Sequence, residues 1–297
     1  MRRGYWQILL AAALFLLALG LTLYPIISNW YIGRHQSRIQ TEYQEVLEQT
    51  DSAEIESIRE SAVAYNKTIT PGAAEEAYSQ ESIRLAAENY VNQLDISGSG
   101  IMGYVEIPEI GVNLPIYHGT GADSLDRGTG HLLGSSLPVG GESTHTVITG
   151  HSGMASQKMF TDLEQLREGD IFYLHVLDET LAYEVRAIHT VLPHDTTYLG
   201  IEPGEDLCTL VTCTPIGVNT HRLLVRGSRI PYVPAEETEA SAVPYEENTA
   251  SQWEKQYWLG VRLGLAAMAA VVLLLSVYLF FRKKKTVKKK GGRYVRK

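Results

Sequence analysis

Apolar and polar positions follow a helical spacing in the first part of the chain. Between Ser37 and Asn66, apolar residues recur among charged ones at mostly helical intervals, as in an amphipathic helix. Thr70-Pro71-Gly72 interrupts the pattern, which resumes over Ala73 to Leu94. The sequence therefore predicts a helical segment at residues 32–98.

From Ile101 onward the pattern changes to short β-rich runs separated by Gly, Pro, Asn and Asp. A short helix is predicted at Gln157 to Leu166. Such evenly punctuated runs are typical of an all-β barrel or sandwich, which we place at residues 99–232. The predicted strands are Ile101–Ile107, Val112–Tyr117, Thr144–Thr149, Asp170–Val176, Leu181–Leu192, Leu207–Cys213 and Leu223–Ile230.

Two uncharged apolar stretches, Ile8 to Leu23 and Leu263 to Phe281, lie near the ends of the chain. Each is long enough to cross a hydrocarbon core of about 30 Å as a helix. A cleaved signal peptide is the alternative for the first stretch, but Tyr24-Pro25-Ile26-Ile27 is a poor cleavage site. We expect two membrane segments, an uncleaved anchor at 1–31 and a transmembrane helix at 257–282.

Basic residues flank these stretches on their outer sides. Arg2 and Arg3 precede the first stretch and ten basic residues follow the second. By the positive-inside rule, both termini are cytoplasmic and the domain between them is extracellular. Residues 233–256, rich in Glu, Ala, Ser and Pro, are expected to form a linker, and 283–297 a basic tail.

The net charge of -8 conceals an uneven distribution. Removing the twelve basic residues at the two ends leaves 14 basic against 34 acidic residues, or -20 for residues 4–281. An acidic domain of this kind is not expected to bind nucleic acid.

The chain contains two cysteines, Cys208 and Cys213. On one strand they are about 16 Å apart, whereas a disulfide needs Cα atoms within about 7 Å. Their odd offset also directs them to opposite faces. Thr214-Pro215 ends the strand directly after Cys213 and leaves its thiol at a rim. We therefore predict a reactive Cys213 and a Cys208 that is a small buried hydrophobe.

His151 and Arg222 have the chemistry to act with this thiol. His151 sits in a strand-to-loop turn with Gly150 and Gly153 close by, where a substrate backbone can approach closely. Arg222 opens the last strand and shares a face with Leu224 and Arg226. A thiol, an imidazole and a guanidinium can attack an amide, protonate its leaving amine and stabilise its oxyanion. The scattered histidines and the lack of HxxxH or CxxC patterns favour no metal site.

These residues and their flanks, from about Ile96 to Ile230, resemble the sortase family of Gram-positive cysteine transpeptidases. The second membrane segment and the 62-residue interval from His151 to Cys213 are similar to those of the pilus-assembling class C. Further similar motifs are Ile107-Pro108, Leu114 to Gly119, Gly130 to Leu132 and Ser135 to Gly141.

The resemblance implies a mainly β fold, an eight-stranded sortase barrel, that needs no cofactor or metal. It implies that Cys213 is the nucleophile that forms an acyl-thioester. It further implies that His151 is the general acid and base, and that Arg222 stabilises the oxyanion.

The resemblance also implies a reaction. An LPXTG-like sorting signal would be cleaved between Thr and Gly, and the acyl group would pass to a pilin lysine in pilus assembly. Three alternatives stay open: attachment of surface proteins to cell-wall peptide amines, hydrolysis by water, and a non-catalytic pilus-associated membrane scaffold. The intact Cys, His and Arg set argues against the scaffold.

One motif departs from the class C pattern. Class C enzymes usually carry an Asp-Pro-aromatic lid motif before the barrel, and this chain has Thr70-Pro71-Gly72 in the corresponding region. The aspartate and aromatic ring that would hold a lid in the cleft are missing. We therefore expect a weakly docked lid between Ile69 and Gln80.

Overall fold

The chain divides into two compact units in a computed structural model. One comprises Met1–Trp30 with Ala250–Lys297, and the other Tyr31–Thr249. The structure describes residues 12–20, 23–24, 27, 39–69, 89–153, 158–234 and 259–273.

The described residues of the first unit are helical, at 12–20, 23–24, 27 and 259–273. Among the described residues, no helix combines the length and apolar character needed to cross a membrane. The predicted spans Ile8 to Leu23 and Leu263 to Phe281 extend outside those residues and stay predictions.

Two helices lie within residues 39–69 of the second unit, before the barrel in the chain. Helix α1 covers residues 39–49 and α2 covers Ser52–Asn66. The sequence predicted one helix here. The break arises because the Asp51 side chain accepts the Ala53 N–H at 3.0 Å and starts α2 as its N-cap. Most of the helix predicted at Ala73 to Leu94, and the lid segment after Ile69, lie outside the described residues.

Eight strands form a closed barrel in the order β1-β2-β3-β4-β7-β8-β6-β5. This architecture confirms the mainly β, eight-stranded barrel. The pairs β2–β3 and β4–β7 are parallel and the others antiparallel. The strands are β1 (Ile101–Ile107), β2 (Val112–His118), β3 (Thr129–His131), β4 (Thr144–Thr149), β5 (Ile171–Val176), β6 (Glu179–Val191), β7 (Asp206–Thr214) and β8 (His221–Ile230).

Two local predictions differ from the structure. Strand β3 was not predicted, because its three residues are too few to show alternation. The helix predicted at Gln157 to Leu166 is wrong for its described part, which contains only a 3-10 turn at Leu163–Gln165. Met159 has a left-handed φ of 42°, which an α-helix cannot accommodate.

Alternate residues of the strands pack into two separate apolar clusters. Cys208, Leu210 and Val225 belong to the large cluster that fills the barrel interior. A smaller group, here called the outer cluster, lies on the opposite face of the same strands. It consists of Val147, Val191, Val211 and Leu224, with Leu132, Tyr198 and Leu199 packed against it.

Candidate active site

Cys213 lies near the end of β7, directly opposite Arg222 of β8 in the antiparallel ladder. It shares the outer face with Val211 of the outer cluster and is partly exposed, whereas Cys208 is buried in the interior. Both thiols are free. The prediction that these cysteines face opposite ways and do not pair is confirmed.

The turn that carries His151 runs beside Cys213. Strand β4 pairs with β7 in parallel, and its last residue Thr149 is in register with Val211. The ladder continues for one more bond, because the Gly150 N–H donates to the Val211 carbonyl at 3.0 Å. His151 therefore leaves the sheet at the level of the nucleophile candidate.

Two hydroxyl groups, here called the hydroxyl clamp, fasten this turn to β7. The Thr212 hydroxyl donates to the Gly150 carbonyl at 2.7 Å. In the opposite direction, the Ser152 hydroxyl donates to the Cys213 carbonyl at 2.6 Å. Gly150 and Ser152 flank His151 in the chain, and both are bonded to β7 at or next to Cys213. The clamp therefore fixes His151 and Cys213 relative to each other.

The glycines around His151 serve the packing of the turn. A Cβ on Gly150 would lie 2.7 Å from the Phe160 ring, and one on Gly153 would lie 2.7 Å from Cγ2 of Ile216. The sequence suggested that these glycines admit a substrate backbone. The space is instead taken by Phe160 and Ile216, which close the turn against the barrel.

A carboxylate that the sequence did not single out faces His151. Oδ1 of Asp126 lies 3.7 Å from Nε2 of His151, with side chains 64% and 36% exposed. Asp126 follows the short helix α3 (Ala122–Leu125), 25 residues before the histidine. No local pattern could have linked positions so far apart in sequence.

Arg222 directs its guanidinium to the connection between β7 and β8. Its Nη1 donates to the carbonyl oxygens of His221 at 3.0 Å and Asn219 at 3.3 Å. Arg226, on the same face, pairs with Glu202 at 2.7 Å. The two arginines of this face therefore have different partners.

The connection 192–205 between β6 and β7 forms a wall over the outer face. The Tyr198 ring stacks on His189 with centroids 3.8 Å apart. His145 bonds to the Gly200 carbonyl and the Thr209 hydroxyl, each at 2.7 Å. Burial lowers the pKa of His145, so it supports the wall as a neutral imidazole.

The residues that the structure describes include no cluster of possible metal ligands. No three His, Cys, Asp or Glu side chains within them are grouped to hold a metal ion. The groups gathered at this end of β4, β7 and β8 are a thiol, an imidazole, a guanidinium and a carboxylate. Such a set can attack an amide carbonyl, move a proton and stabilise an oxyanion.

Comparison with known proteins identifies the family. The family described as Sortase domain matches residues 105–230. Sortase A of Streptococcus agalactiae is 28% identical over 209 residues, covering 69% of this chain and 77% of that protein. The crystal structure of Streptococcus pneumoniae Sortase C is 44% identical with a TM-score of 0.57, covering 66% of this chain and 99% of that one. Sortase C1 from Streptococcus agalactiae is 43% identical with a TM-score of 0.60, covering 66% and 100%.

With such identity over the full length of solved relatives, the chain belongs to the sortase family of cysteine transpeptidases, in its class C.

Proposed function

We propose that this enzyme cleaves an LPXTG-like sorting signal between Thr and Gly and transfers the acyl group to a pilin lysine. The observation that carries the proposal is the cross-strand register of Cys213 with Arg222, with His151 held alongside by the hydroxyl clamp. The similar Streptococcus pneumoniae Sortase C is described with pilin substrate specificity, and a Group B Streptococcus neighbour as pilus-related.

In the first half-reaction, the Cys213 thiolate attacks the Thr carbonyl carbon of the sorting signal. His151, as imidazolium, protonates the Gly nitrogen as the C–N bond breaks. A thioester to Cys213 and a free Gly amine result. Arg222 donates to the carbonyl oxygen while that oxygen carries negative charge. Its guanidinium has five N–H donors, so bonds to loop carbonyls leave others for substrate.

In the second half-reaction, an amine attacks the thioester carbonyl. The neutral His151 accepts a proton from the attacking nitrogen, the new C–N bond forms, and the C–S bond to Cys213 breaks. The imidazolium and thiolate are thereby restored for the next cycle. When a pilin lysine supplies the amine, the product is an isopeptide bond between two pilins.

We further propose that the catalytic unit is extracellular and held by two membrane segments. The uncharged stretches Ile8 to Leu23 and Leu263 to Phe281, with basic residues beyond each, support this topology. The topology is tested by introducing a single cysteine near one or the other terminus of the protein and labelling intact cells that carry it. Reaction with a membrane-impermeant maleimide at either terminus would contradict it.

The transfer reaction is tested by mixing the full-length enzyme in detergent micelles with a labelled LPXTG peptide and purified pilin. Label on pilin supports the proposal, and a mass spectrum of the intact product identifies the lysine. Transfer only to a cell-wall peptide amine would favour the other sortase role. Released peptide acid alone would indicate a hydrolase. Cys213→Ala is the control for label that is not enzymatic.

A further inference from the structure

A second support holds the His151 turn from the residues that follow it in the chain. The Phe160 N–H donates to the His151 carbonyl at 2.9 Å. The Gly153 N–H donates to the Thr161 hydroxyl at 3.0 Å. Phe160 is fully buried, and its ring lies against Gly150. Residues 160 and 161 therefore hold the turn at two backbone groups that the hydroxyl clamp does not bond.

Lys158 and Asp162, here called the latch, join this support to another part of the barrel. Nζ of Lys158 lies 2.7 Å from Oδ2 of Asp162 and donates to the Ile110 carbonyl at 2.9 Å. Ile110 ends the 3-10 turn Pro108–Ile110, which lies between β1 and β2. One ammonium group thus connects residues 158–162 to the β1–β2 connection.

Burial and backbone geometry explain why the latch stays closed and what it restrains. The Asp162 side chain is 3% exposed, whereas that of Lys158 is 41% exposed. A buried carboxylate without a partner is costly, so Asp162 retains the lysine as its counter-ion. Met159, next to Lys158 in the chain, has φ 42° and is 2% exposed. Because this backbone region is unfavourable for a methionine, the surrounding contacts hold the segment in a conformation that it would otherwise leave.

We propose that the latch positions His151 for proton transfer to the leaving amine. This inference rests on the proposed role of His151 and adds the residues that hold its turn. The latch acts through the bonds that Phe160 and Thr161 make to the turn. Lys158 and Asp162 are therefore positioning residues, and the proton itself is carried by His151.

The two parts of the acylation step depend on this position to different degrees. The Cys213 thiolate attacks the Thr carbonyl carbon from β7, which is held in the sheet by β4 and β8. As the C–N bond breaks, the proton on His151 passes to the Gly nitrogen, which requires a hydrogen-bond distance between them. A displaced turn therefore slows the departure of an amine. It slows the departure of a nitrophenolate much less, because that group leaves as an anion and takes no proton.

The test compares an amide with an ester in the full-length enzyme in detergent micelles. One substrate is the labelled LPXTG peptide, and the other is the same peptide ending at Thr as its para-nitrophenyl ester. Both form the same thioester on Cys213, and mass spectrometry follows its formation in a single turnover. For Lys158→Met we expect acylation by the amide to slow about tenfold and acylation by the ester less than about threefold. The half-saturating concentration of the amide should stay within about twofold of wild type, since the latch acts on the chemical step.

Two further variants and a control keep this test decisive. Lys158→Arg retains the cation and its donors, and it should recover most of the amide rate. Lys158→Met leaves the buried Asp162 carboxylate unpaired, so the double variant that also carries Asp162→Asn is measured and should show the same selective loss. The matched control is Arg186→Met, which breaks an exposed ion pair with Glu184 at 2.9 Å and should change neither rate.

Equal losses with the amide and the ester would overturn the proposal, because they would show a general disturbance of the site. Wild-type amide acylation in both Lys158→Met and the double variant would also overturn it. His151→Ala tests the proposed function separately, and it should slow the amide reaction by a larger factor than the ester reaction. If His151→Ala behaves in this way and the latch variants do not, only the latch proposal fails. If His151→Ala slows both reactions equally, the proposed function itself fails.

Discussion

Strand β7 carries two cysteines whose surroundings are opposite. Cys208 has no exposed surface and lies opposite Gly227. Burial raises the pKa of its thiol well above the ordinary 9.0, and the nearby Asp206 raises it further. Cys213, five residues later, is partly exposed at the strand end and lies opposite Arg222.

The cross-strand partner explains much of this difference. A Cβ on Gly227 would lie 2.7 Å from the Phe172 ring, so the glycine lets aromatic packing seal the space beside Cys208. Arg222, whose side chain is permanently charged, instead lies directly opposite Cys213 in the ladder. Thiols become reactive in electropositive, partly exposed surroundings and stay inert in apolar ones. Strand face and cross-strand partner therefore predict different reactivity for the two cysteines.

The largest expected effect comes from exchanging the two thiols for alanine. Cys213→Ala should abolish thioester formation and cleavage while the barrel still folds. Cys208→Ala should keep activity. Mass spectrometry of the enzyme after incubation with an LPXTG peptide detects the acyl adduct. Iodoacetamide should modify Cys213 in the native enzyme and Cys208 only after unfolding. Full activity in Cys213→Ala would contradict the mechanism.

The arginines of β8 provide the next comparison. Arg222→Ala should lower kcat/KM by about 10²-fold or more, because an oxyanion donor is lost. Arg222→Lys should remain poor, since an ammonium does not reproduce the planar guanidinium. Arg226→Ala, which removes the partner of Glu202, is the control on the same face and should stay near wild type. If Arg226→Ala lost as much rate as Arg222→Ala, charge on this face would matter more than position.

The barrel could be predicted from the sequence because its strand signals are local, and the same signals placed the three candidate residues on or beside strands. Seven strands show alternation and turn residues, and the ends of β4 and β7 place His151 and Cys213 at rims. Strand β3 was not predicted, because Thr129–His131 is stabilised by pairing with β2 and β4 and three residues are too few to show a strand pattern. Asp126 escaped for a related reason, because only the folded barrel brings α3 to the turn after β4.

The hydroxyl clamp was missed as well, since serine and threonine are common in turns and strands. Its two bonds join the turn after β4 to β7, and their existence depends on the parallel register of these two strands. Side-chain contacts of this kind follow from tertiary structure, so the sequence yields the reacting groups more readily than the groups that hold them.

Removing one hydrogen bond of the clamp should have a smaller effect on catalysis, and only at the end of β7 that carries Cys213. Thr212→Val removes the donor to the Gly150 carbonyl, which costs about 1–3 kcal/mol when a buried acceptor is left unpaired. We expect kcat to fall about tenfold with little change in KM, because the turn bearing His151 loosens. Thr212→Ser should recover most of the rate.

Thr146→Val is the matched control for the clamp. Thr146 is also a buried strand threonine that donates to a carbonyl, that of Leu137, but it is in register with Cys208. Its loss should lower stability without changing kcat. Steady-state kinetics together with urea unfolding separate these effects. Similar kcat values for Thr212→Val and Thr146→Val would contradict the proposal that the bond near Cys213 positions His151 for catalysis.

The smallest expected effect concerns alkaline pH and the buried thiol. The folded state holds the Cys208 proton to a pH well above 9.0, whereas the unfolded thiol titrates near that value. The contribution of the protonated Cys208 thiol to the free energy of unfolding is therefore fully present below about pH 9. It is lost as pH rises, by about 1.4 kcal/mol per pH unit for one proton. Burial also raises the pKa of Tyr43 to about 12 and that of Tyr183 well above its ordinary value, so these tyrosines lose stability at alkaline pH in the same direction.

The experiment compares Cys213→Ala with the double variant that also carries Cys208→Ala. The contribution of the tyrosines is the same in both proteins, so the difference between them reports the Cys208 thiol. Free energies of unfolding from urea titrations between about pH 8 and 11 should fall more steeply in the protein that keeps Cys208. Parallel curves would mean that Cys208 titrates alike in both states and that the interior of the barrel does not shield it.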